Sequence, residues 1–358
     1  MSLAKLEIHN VRNIERASLA LSPSLNLIVG ENGSGKTSLL EALYILGRGR
    51  SFRSTQANQI IKFNQDTLTV SGRTAGSADN APTSIGVQLS RRTREMSISG
   101  KKVQSSAALI STLPVMLVQP TTVSLLGDAP KFRRRFLDLG AFHVEHDYLN
   151  IWRGYARALT HRNALLKSGN VRHLAIWDTA LAEYGTRMAN CRSEFFQRLR
   201  PYFLQSAQSL AGFVDVDLNY QFGWHKDHTL SESLKADLST DTKMGYTHSG
   251  PHKADFSISV GGKPAKLYLS RGQLKLLVYA LCQAQAEMLS VQTGLDGCFL
   301  VDDMASELDP NNRVRLLHSL SQRPIQLFIT ATNKDLFTSE QLQYAAVFHV
   351  EHGTITPS

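Results

Sequence analysis

The sequence predicts an α/β fold whose core is interrupted by an inserted, mostly helical lobe. Three observations lead to this prediction. Strand-like patterns occupy the first 120 residues and return after residue 213, and a glycine-rich turn near residue 30 joins a short apolar run to a helix. Two long stretches in the middle of the chain carry apolar residues at heptad spacing. We therefore expect one core, built from both ends of the chain, that encloses a helical insertion.

The length of 358 residues corresponds to about two domains at ~150 residues each. Hydrophobic residues make up 42% of the chain and charged residues 19%, which is ordinary globular composition and excludes a disordered chain. We expect an α/β lobe of residues 1–125 and 296–358, and a helical lobe of residues 126–295.

The cysteines and the apolar runs indicate the compartment. The three cysteines, Cys191, Cys282 and Cys298, form no CxxC pair, which excludes a disulfide framework and favours a reducing environment. No apolar run approaches the ~18 residues that a membrane span needs. The first residues alternate like a strand and lack the apolar core of a signal peptide. We expect a cytoplasmic protein without a membrane partner.

The net charge of +9 is unevenly distributed. Residues 1–126 carry 14 Lys and Arg against 7 Asp and Glu, residues 127–205 carry 13 against 7, and residues 206–358 carry 12 against 16. This asymmetry indicates either a surface that faces a polyanion such as nucleic acid or an ordinary solvated basic face. Charge alone does not decide between the two.

The strongest local motif is a P-loop. The apolar run 24–29 is followed by a segment that matches G-x-x-x-x-G-K-[ST] and then by a helix with leucines at helical spacing, which is the context that this motif requires. The segment consists of Gly30, Glu31, Asn32, Gly33, Ser34, Gly35, Lys36 and Thr37. Its backbone N–H groups can surround phosphates at a helix N-terminus, Lys36 can reach the β- and γ-phosphates, and Thr37 can ligate Mg²⁺.

A second motif has the form of Walker B. Four apolar residues, 298–301, end in Asp302 and Asp303. We expect Asp302 to hold Mg²⁺, and Asp303 to lie near the γ-phosphate and polarise the attacking water. Buried strands often end in Asp, so the motif gains its weight from the P-loop.

A third motif indicates the class of ATPase. Leu269 begins a segment of the form L-S-x-G-Q, the signature of ABC-type ATPases, about 30 residues before Walker B. In that class, Ser270, Gly272 and Gln273 would grip the γ-phosphate held by a second subunit, so that ATP joins two heads. The alternative is an ordinary N-cap serine. Segment 306–309 follows Walker B where this class has its D-loop, which favours the signature.

The switch position departs from the ABC pattern. Ala331 stands at about the place of the usual histidine, and a hydroxyl of Thr330 or Thr332 is the candidate contact to the γ-phosphate. Asp303 also stands where most ABC heads have Glu. The shorter side chain leads to the hypothesis of slow, switch-like hydrolysis.

The middle of the chain predicts a short antiparallel helical hairpin around a turn at 167–170. Each arm would have about twenty residues, and the first arm would be roughly 30 Å long. The seam of the first arm is Tyr148, Trp152, Tyr155, Leu159 and Leu166, with Arg162 in the vacant position. The seam of the second arm is Leu174, Trp177, Leu181, Tyr184, Met188, Cys191 and Phe195. Packing within the lobe is a simpler explanation than a partner-binding zipper, and it makes Cys191 a core residue.

Two histidine pairs have the spacing of metal ligands. They are His143 with His146, and His225 with His228. No cysteine cluster accompanies either pair, so solvent-facing or capping histidines are the favoured interpretation.

With these motifs in place, the chain resembles the RecF family, the DNA replication and repair ATPases of bacterial recombination mediators. The resemblance runs nearly end to end. It rests on Arg12-Asn13 and on segments 30–37, 49–54, 120–138, 248–255, 269–273 and 302–309. It implies an ABC-type head like that of chromosome-maintenance (SMC) ATPases, without their long coiled coil.

The resemblance also implies a function and further site residues. Such a head binds ATP and Mg²⁺, dimerises on ATP, binds double-stranded and gapped DNA, and acts with RecR and RecO to load RecA. Its ATPase would be weak and DNA-stimulated, with Lys36 and Asp303 as catalytic residues. By the same resemblance, Arg12 and Asn13 would contact the nucleotide, and Gln119 is a candidate Q-loop residue.

A DNA clamp would need a basic cleft that contacts phosphates without reading sequence. The candidate residues are Arg50, Arg53, Arg91, Arg92, Arg94, Lys101, Lys102 and Arg133 to Arg135. Fewer than half of them are expected to touch DNA. The rival classes are a transporter ATPase subunit, a P-loop metabolic kinase and a structural head of a chromosome-maintenance complex.

Overall fold

A computed structural model of the chain describes residues 2–76, 81–127, 130–295, 297–304, 308–323, 325–338 and 342–358. The chain forms two compact units, Met1–Thr122 with Lys275–Ser358, and Val123–Leu274. The first unit therefore takes in most of the helix Arg271–Thr293, which the expected boundary at residue 295 had assigned to the helical lobe. Gln283 of this helix donates to Ser319, and Arg323 pairs with Glu287, so the helix is held by partners of the first unit.

The first unit contains an antiparallel sheet of six strands in the order β2-β1-β4-β5-β6-β7. The strands are β1 (Leu3–Val11), β2 (Ile14–Ala20), β4 (Thr67–Thr74), β5 (Ser84–Ser90), β6 (Arg94–Ile98) and β7 (Lys101–Val103). Their buried residues alternate with exposed ones, as the period-two pattern of the sequence predicts. One face of this sheet is therefore turned to the core.

A second sheet in the same unit has the order β15-β14-β3-β13-β12-β8. Its strands are β3 (Leu25–Val29), β8 (Val115–Val118), β12 (Cys298–Val301), β13 (Gln326–Ala331), β14 (Ala345–Glu351) and β15 (Thr354–Pro357). All pairings except β14 with β15 are parallel. Strands from both ends of the chain thus share one sheet, and β3, β13 and β12 are neighbours whose carboxyl ends meet at one edge.

Helix α1 (Lys36–Arg48) is buried on nearly all sides. Its leucines and Ile45 belong to one continuous core that also includes Leu6 and Val70 of the antiparallel sheet and Ile28 and Phe328 of the parallel sheet. Helices α2 (Ser106–Thr112), α9 (Arg271–Thr293) and α10 (Pro310–Ser321) complete the unit, with the first residues of α9 in the second unit. A helix fixed on all sides gives the loop before it a rigid support.

The second unit is mostly helical and includes a small antiparallel sheet, β11-β10-β9. Its strands are β9 (Val216–Gln221), β10 (Asp255–Val260) and β11 (Lys263–Pro264). Its helices are α3 (Pro130–Val144), α4 (Tyr148–Ser168), α5 (Leu174–Ala211), α6 (Leu230–Ala236), α7 (Leu238–Met244) and α8 (Ala265–Tyr268).

Helices α4 and α5 form the predicted antiparallel hairpin. Arg162 near the end of α4 pairs with Asp178 near the start of α5, and Arg192 far along α5 contacts Tyr148 at the start of α4. The second arm is longer than expected, because α5 runs for 38 residues and contains Pro201. The second arm thus continues well beyond the hairpin contact.

Parts of the predicted seam are wrong. Trp152 is 42% exposed, and Ile151 and Ala158 are buried in the first arm. In the second arm Cys191 is half-buried, and Arg192 is buried beside it. The buried face is shifted because Asp138 pairs with Arg192 there.

Within the part of the chain that the structure describes, every helix is too short or too polar to span a lipid bilayer.

Candidate nucleotide-binding site

The P-loop connects β3 to α1 as predicted, and its glycines are required by geometry. Gly35 has φ +124°, and a Cβ there would lie 2.9 Å from Asn13 Nδ2. A Cβ on Gly30 would lie 2.2 Å from the carbonyl oxygen of Val350. Gly33 also has positive φ, +82°. Only glycine fits these backbone conformations and close approaches without strain.

Lys36 lies at the first position of α1, and its side chain folds back over the loop. Its Nζ donates to Gly30 O at 2.6 Å and to Glu31 O at 2.8 Å, and the residue is only 8% exposed. Burial lowers the pKa of Lys36, while the carboxylates of Asp303 and Asp302 act in the opposite direction. The amine is thus held by loop carbonyls at the mouth of the P-loop, close to two acids.

Asp302 follows β12 at the carboxyl edge of the parallel sheet. Thr37 Oγ1 lies 3.1 Å from both carboxylate oxygens, and Thr330 Oγ1 donates to Oδ1 at 2.9 Å. Burial raises the pKa of Asp302, and the hydrogen bonds from Thr330 and Thr37 oppose that rise. The two Walker motifs, 265 residues apart, are therefore in direct contact.

Asp303 adopts a left-handed backbone conformation with φ +52°. Its backbone N–H donates to Thr330 Oγ1 at 2.7 Å. A non-glycine residue in this region is uncommon and costs roughly 1–3 kcal/mol, and such residues cluster at functional sites. The strain lies at the residue that the sequence assigns to water activation.

Arg12 and Asn13 reach the P-loop from the turn between β1 and β2. Asn13 Nδ2 donates to Ser34 O at 2.9 Å, and its Oδ1 accepts from Ser38 Oγ at 3.0 Å. Arg12 makes a bidentate pair with Glu41, with both N–O distances 2.8 Å. This turn is therefore hydrogen-bonded both to the P-loop and to the first two turns of α1.

Glu41 is a site residue that the sequence did not identify. It is fully buried, and it also accepts a hydrogen bond from Ser51 and lies 3.7 Å from Arg53. Its position one turn after Thr37 in α1 was the available signal, since a charged residue on an all-buried helix face needs a partner. Glu41 holds Arg12 and Arg53 beside the P-loop.

These residues surround a cleft of about 450 Å³ that lies entirely in the first unit. The cleft is lined by Arg12, Asn13, Asn32, Gly33, Gly35, Lys36, Thr37, Ser38, Arg53, Asp302, Asp303 and Thr330. Its volume lies in the range of small-molecule sites. A hydroxyl and a carboxylate in contact are hard oxygen donors that suit Mg²⁺, and the glycine loop with Lys36 suits phosphates, so the donor set fits a magnesium nucleotide.

Several predicted site residues are not part of this lining. Gln119 follows β8 at the same sheet edge, but its amide donates to Thr121 Oγ1 at 2.7 Å. Ser270, Gly272 and Gln273 belong to the second unit, where Ser270 and Gln273 cap the start of α9 reciprocally. Residues 306 and 307 of the predicted D-loop segment lie outside the described residues.

The structure also shows where the two switch-position threonines and one candidate DNA-contacting arginine lie relative to the cleft. Thr330 lines the cleft and Thr332 is exposed, so the hydroxyl at the site comes from Thr330. Arg53 was a candidate for DNA contact, and the structure places it in the cleft. Sequence spacing could not show this, because the contact with Glu41 depends on how the loop after α1 folds back.

The candidate DNA-contacting residues differ in exposure. Arg133 is not free for DNA, because it is 8% exposed and makes a bidentate pair with Asp255 at 2.5 and 2.8 Å. Arg134 donates to Ala254 O. The remaining candidates are exposed: Arg50, Arg91, Arg92, Arg94, Lys101, Lys102 and Arg135.

Comparison with known proteins gives a consistent result. The family model described as RecF/RecN/SMC N terminal domain matches residues 2–356. The DNA replication and repair protein RecF of Aliivibrio fischeri (strain MJ11) is 39% identical over 99% of both chains. That of Stutzerimonas stutzeri (strain A1501) is 40% identical over 99% of this chain and 97% of its own.

Solved structures agree with the sequence comparisons. The recombination mediator protein RecF with ATPrS, of the RecFOR pathway, superposes with a TM-score of 0.88 at 27% identity, covering 99% of this chain and 97% of the other. A corresponding structure with ATP has the same TM-score and identity, and covers 100% and 97%. An SMC head at 13% identity has a TM-score of 0.60, which supports the fold alone. The predicted ABC-type head fold is confirmed, and the chain belongs to the RecF family.

Proposed function

We propose that this chain is an ATP-dependent DNA-binding protein of recombinational repair and replication restart. In this proposal two heads joined by ATP clamp duplex DNA at gaps and act with RecO and RecR to load RecA. The observation that carries it is the cleft in which Lys36, Thr37 and Asp302 converge at the P-loop. Its support from relatives is the full-length similarity to proteins named for DNA replication and repair.

Each cleft residue has a role in this proposal. The N–H groups of the P-loop and the N-terminus of α1 bind the phosphates, and Lys36 exchanges its loop carbonyls for phosphate oxygens. Thr37 and Asp302 would hold Mg²⁺, which supplies charge neutralisation at the phosphates. Arg12 and Asn13 are held at the rim by Glu41 and Ser34. Asp303 would orient the attacking water and accept its proton, and its short side chain suits slow turnover.

The signature loop would complete the site in a second copy of the chain. Ser270 and Gln273 are exposed at the start of the 23-residue helix α9, where backbone N–H groups lack intrahelical partners. A γ-phosphate presented by a partner head would be bound at this helix N-terminus. ATP would then be required for dimerisation, which makes the nucleotide the switch for DNA clamping.

Sedimentation velocity with and without ATP and gapped duplex DNA tests the proposal. The wild-type chain is expected to dimerise on ATP, and more readily on DNA, whereas Lys36→Arg should remain monomeric because the longer, planar guanidinium cannot take the place of the amine at the phosphates. Lys226→Arg changes an exposed lysine of the second unit in the same way and serves as the control. A wild-type chain that stays monomeric with ATP and DNA would contradict the proposal.

A further inference from the structure

Thr330 is the last polar residue of the buried strand β13, and its hydroxyl connects the two Walker B acids. The residue is fully buried, yet it lines the nucleotide cleft. Its Oγ1 lies 2.9 Å from Asp302 Oδ1 and 2.7 Å from the backbone N of Asp303. One hydroxyl of β13 therefore contacts the two consecutive residues that follow β12.

We infer that Thr330 is a positioning residue that orients both Asp302 and Asp303 for magnesium-dependent nucleotide binding and hydrolysis, and that it does not itself bind the phosphate. The inference rests on the proposed function and deepens it, because it assigns a role to the hydroxyl of Thr330 that differs from the phosphate contact of a switch histidine.

The direction of the hydrogen bonds follows from chemistry. The N–H of Asp303 can only donate, so Thr330 Oγ1 accepts there and its own proton is left for the carboxylate of Asp302. The single proton of the hydroxyl is thus already donated to Asp302, and one of its two lone pairs accepts from Asp303. A phosphate oxygen would have to compete with Asp302 for the single proton.

The two bonds have different consequences. The bond to Asp302 fixes the carboxylate that Thr37 also contacts at 3.1 Å, so its rotamer is held from two sides. The bond from Asp303 N–H helps to hold a backbone with φ +52°, a strained conformation that persists only where its surroundings fix it. Because Thr is β-branched and buried, its χ1 is restricted and the hydroxyl is already in place before nucleotide binds.

The neighbouring Thr332 offers an internal comparison. It is exposed and does not line the cleft, although it lies only two residues further along the chain. Thr332→Val is therefore a matched control for Thr330→Val. Thr330→Ser removes the methyl group and keeps the hydroxyl, whereas Thr330→Ala removes both.

The test is equilibrium titration with a fluorescent ATP analogue, with and without Mg²⁺, followed by single-turnover hydrolysis. Thr330→Val should bind the analogue without Mg²⁺ within about two-fold of wild type. It should lose the additional affinity given by Mg²⁺ and slow hydrolysis by ten-fold or more, on the order of other changes that misorient a metal ligand. Thr330→Ser and Thr332→Val should stay near wild type.

Three results would overturn the inference. They are wild-type magnesium dependence in Thr330→Val, equal loss in the Ser and Val variants, or a large loss of magnesium-free binding in Thr330→Val, which would mean direct phosphate contact. If Thr330→Val does not fold, the Ser and Ala variants make the same comparison. A wild-type chain that binds no ATP would instead overturn the proposed function, and this inference with it.

Discussion

Single buried polar residues join separate segments of the second unit through specific hydrogen bonds. Arg162 is fully buried and donates hydrogen bonds to Asp178, Asp241 and Thr247. His252 contacts Tyr155 OH through Nδ1 at 2.6 Å and Thr247 O through Nε2 at 2.9 Å. Because a carbonyl oxygen only accepts, Nε2 carries the proton and Nδ1 accepts from the tyrosine, which assigns the neutral tautomer. The segment 247–255 therefore acts as a buried polar connection within this unit.

His252 makes the stability of the second unit dependent on pH. Burial lowers its pKa to about 4, against about 6.5 in the unfolded chain. Between these values the unfolded chain binds a proton that the folded chain does not. Stability from this group is therefore complete above about pH 6.5, decreases as the pH falls, and decreases no further below about pH 4. We expect wild type to lose about 2 kcal/mol between pH 7.5 and 5 through His252, a loss absent from His252→Gln.

Urea unfolding followed by tryptophan fluorescence measures this difference, because Trp152, Trp177 and Trp224 all lie in the second unit. His225→Gln is the control, since the side chain of His225 is 63% exposed. Equal pH slopes for wild type and His252→Gln would contradict the assignment.

At the scale of elements, periodicity predicted the type of each segment better than its exact buried face. The P-loop, β12 and the hairpin follow the sequence patterns, because local spacing determines them. The buried face of the hairpin differs from the predicted one at Arg192, which is buried where the sequence pattern predicts Cys191. A buried arginine is recognisable only once its contacts with Asp138 and Tyr148 of other helices are known. Likewise the contacts of Glu41 and Thr330 join residues distant in sequence, which no periodic pattern encodes.

The start of α9 shows how one element can serve both folding and function. Ser270 Oγ accepts from Gln273 N at 3.3 Å, the arrangement that Thr229 and Glu232 form at 3.2 Å before α6. Ser270→Ala and Thr229→Ala should each cost about 1 kcal/mol in urea unfolding, because each removes an N-cap. Only Ser270→Ala should also weaken ATP-driven dimerisation in sedimentation. Equal dimerisation of the two variants would show that Ser270 acts only as a helix cap.

At the scale of the whole molecule, the net charge of +9 is divided between structural and available charges. Arg133, Arg162 and Arg192 are buried against Asp255, Asp178 and Asp138, so they add nothing to a surface potential that DNA would meet. The exposed arginines of the first unit remain as candidates for contact with DNA. Arg91 and Arg92 occupy the turn between β5 and β6, and within the described ranges neither forms an ion pair. This turn is the best-defined candidate for phosphate contact.

Replacing Arg91 and Arg92 together with alanine tests that candidate. If both contact phosphates, the plot of log affinity against log salt for duplex DNA should become shallower by about 2, since each contact contributes about 0.9. Affinity should fall alike for unrelated sequences, because phosphate contacts carry no sequence information. The control pair, Arg315→Ala with Lys334→Ala, removes the same charge from exposed positions of the same unit. An equal change of slope in both double variants would show that net charge, and not this turn, sets the affinity for DNA.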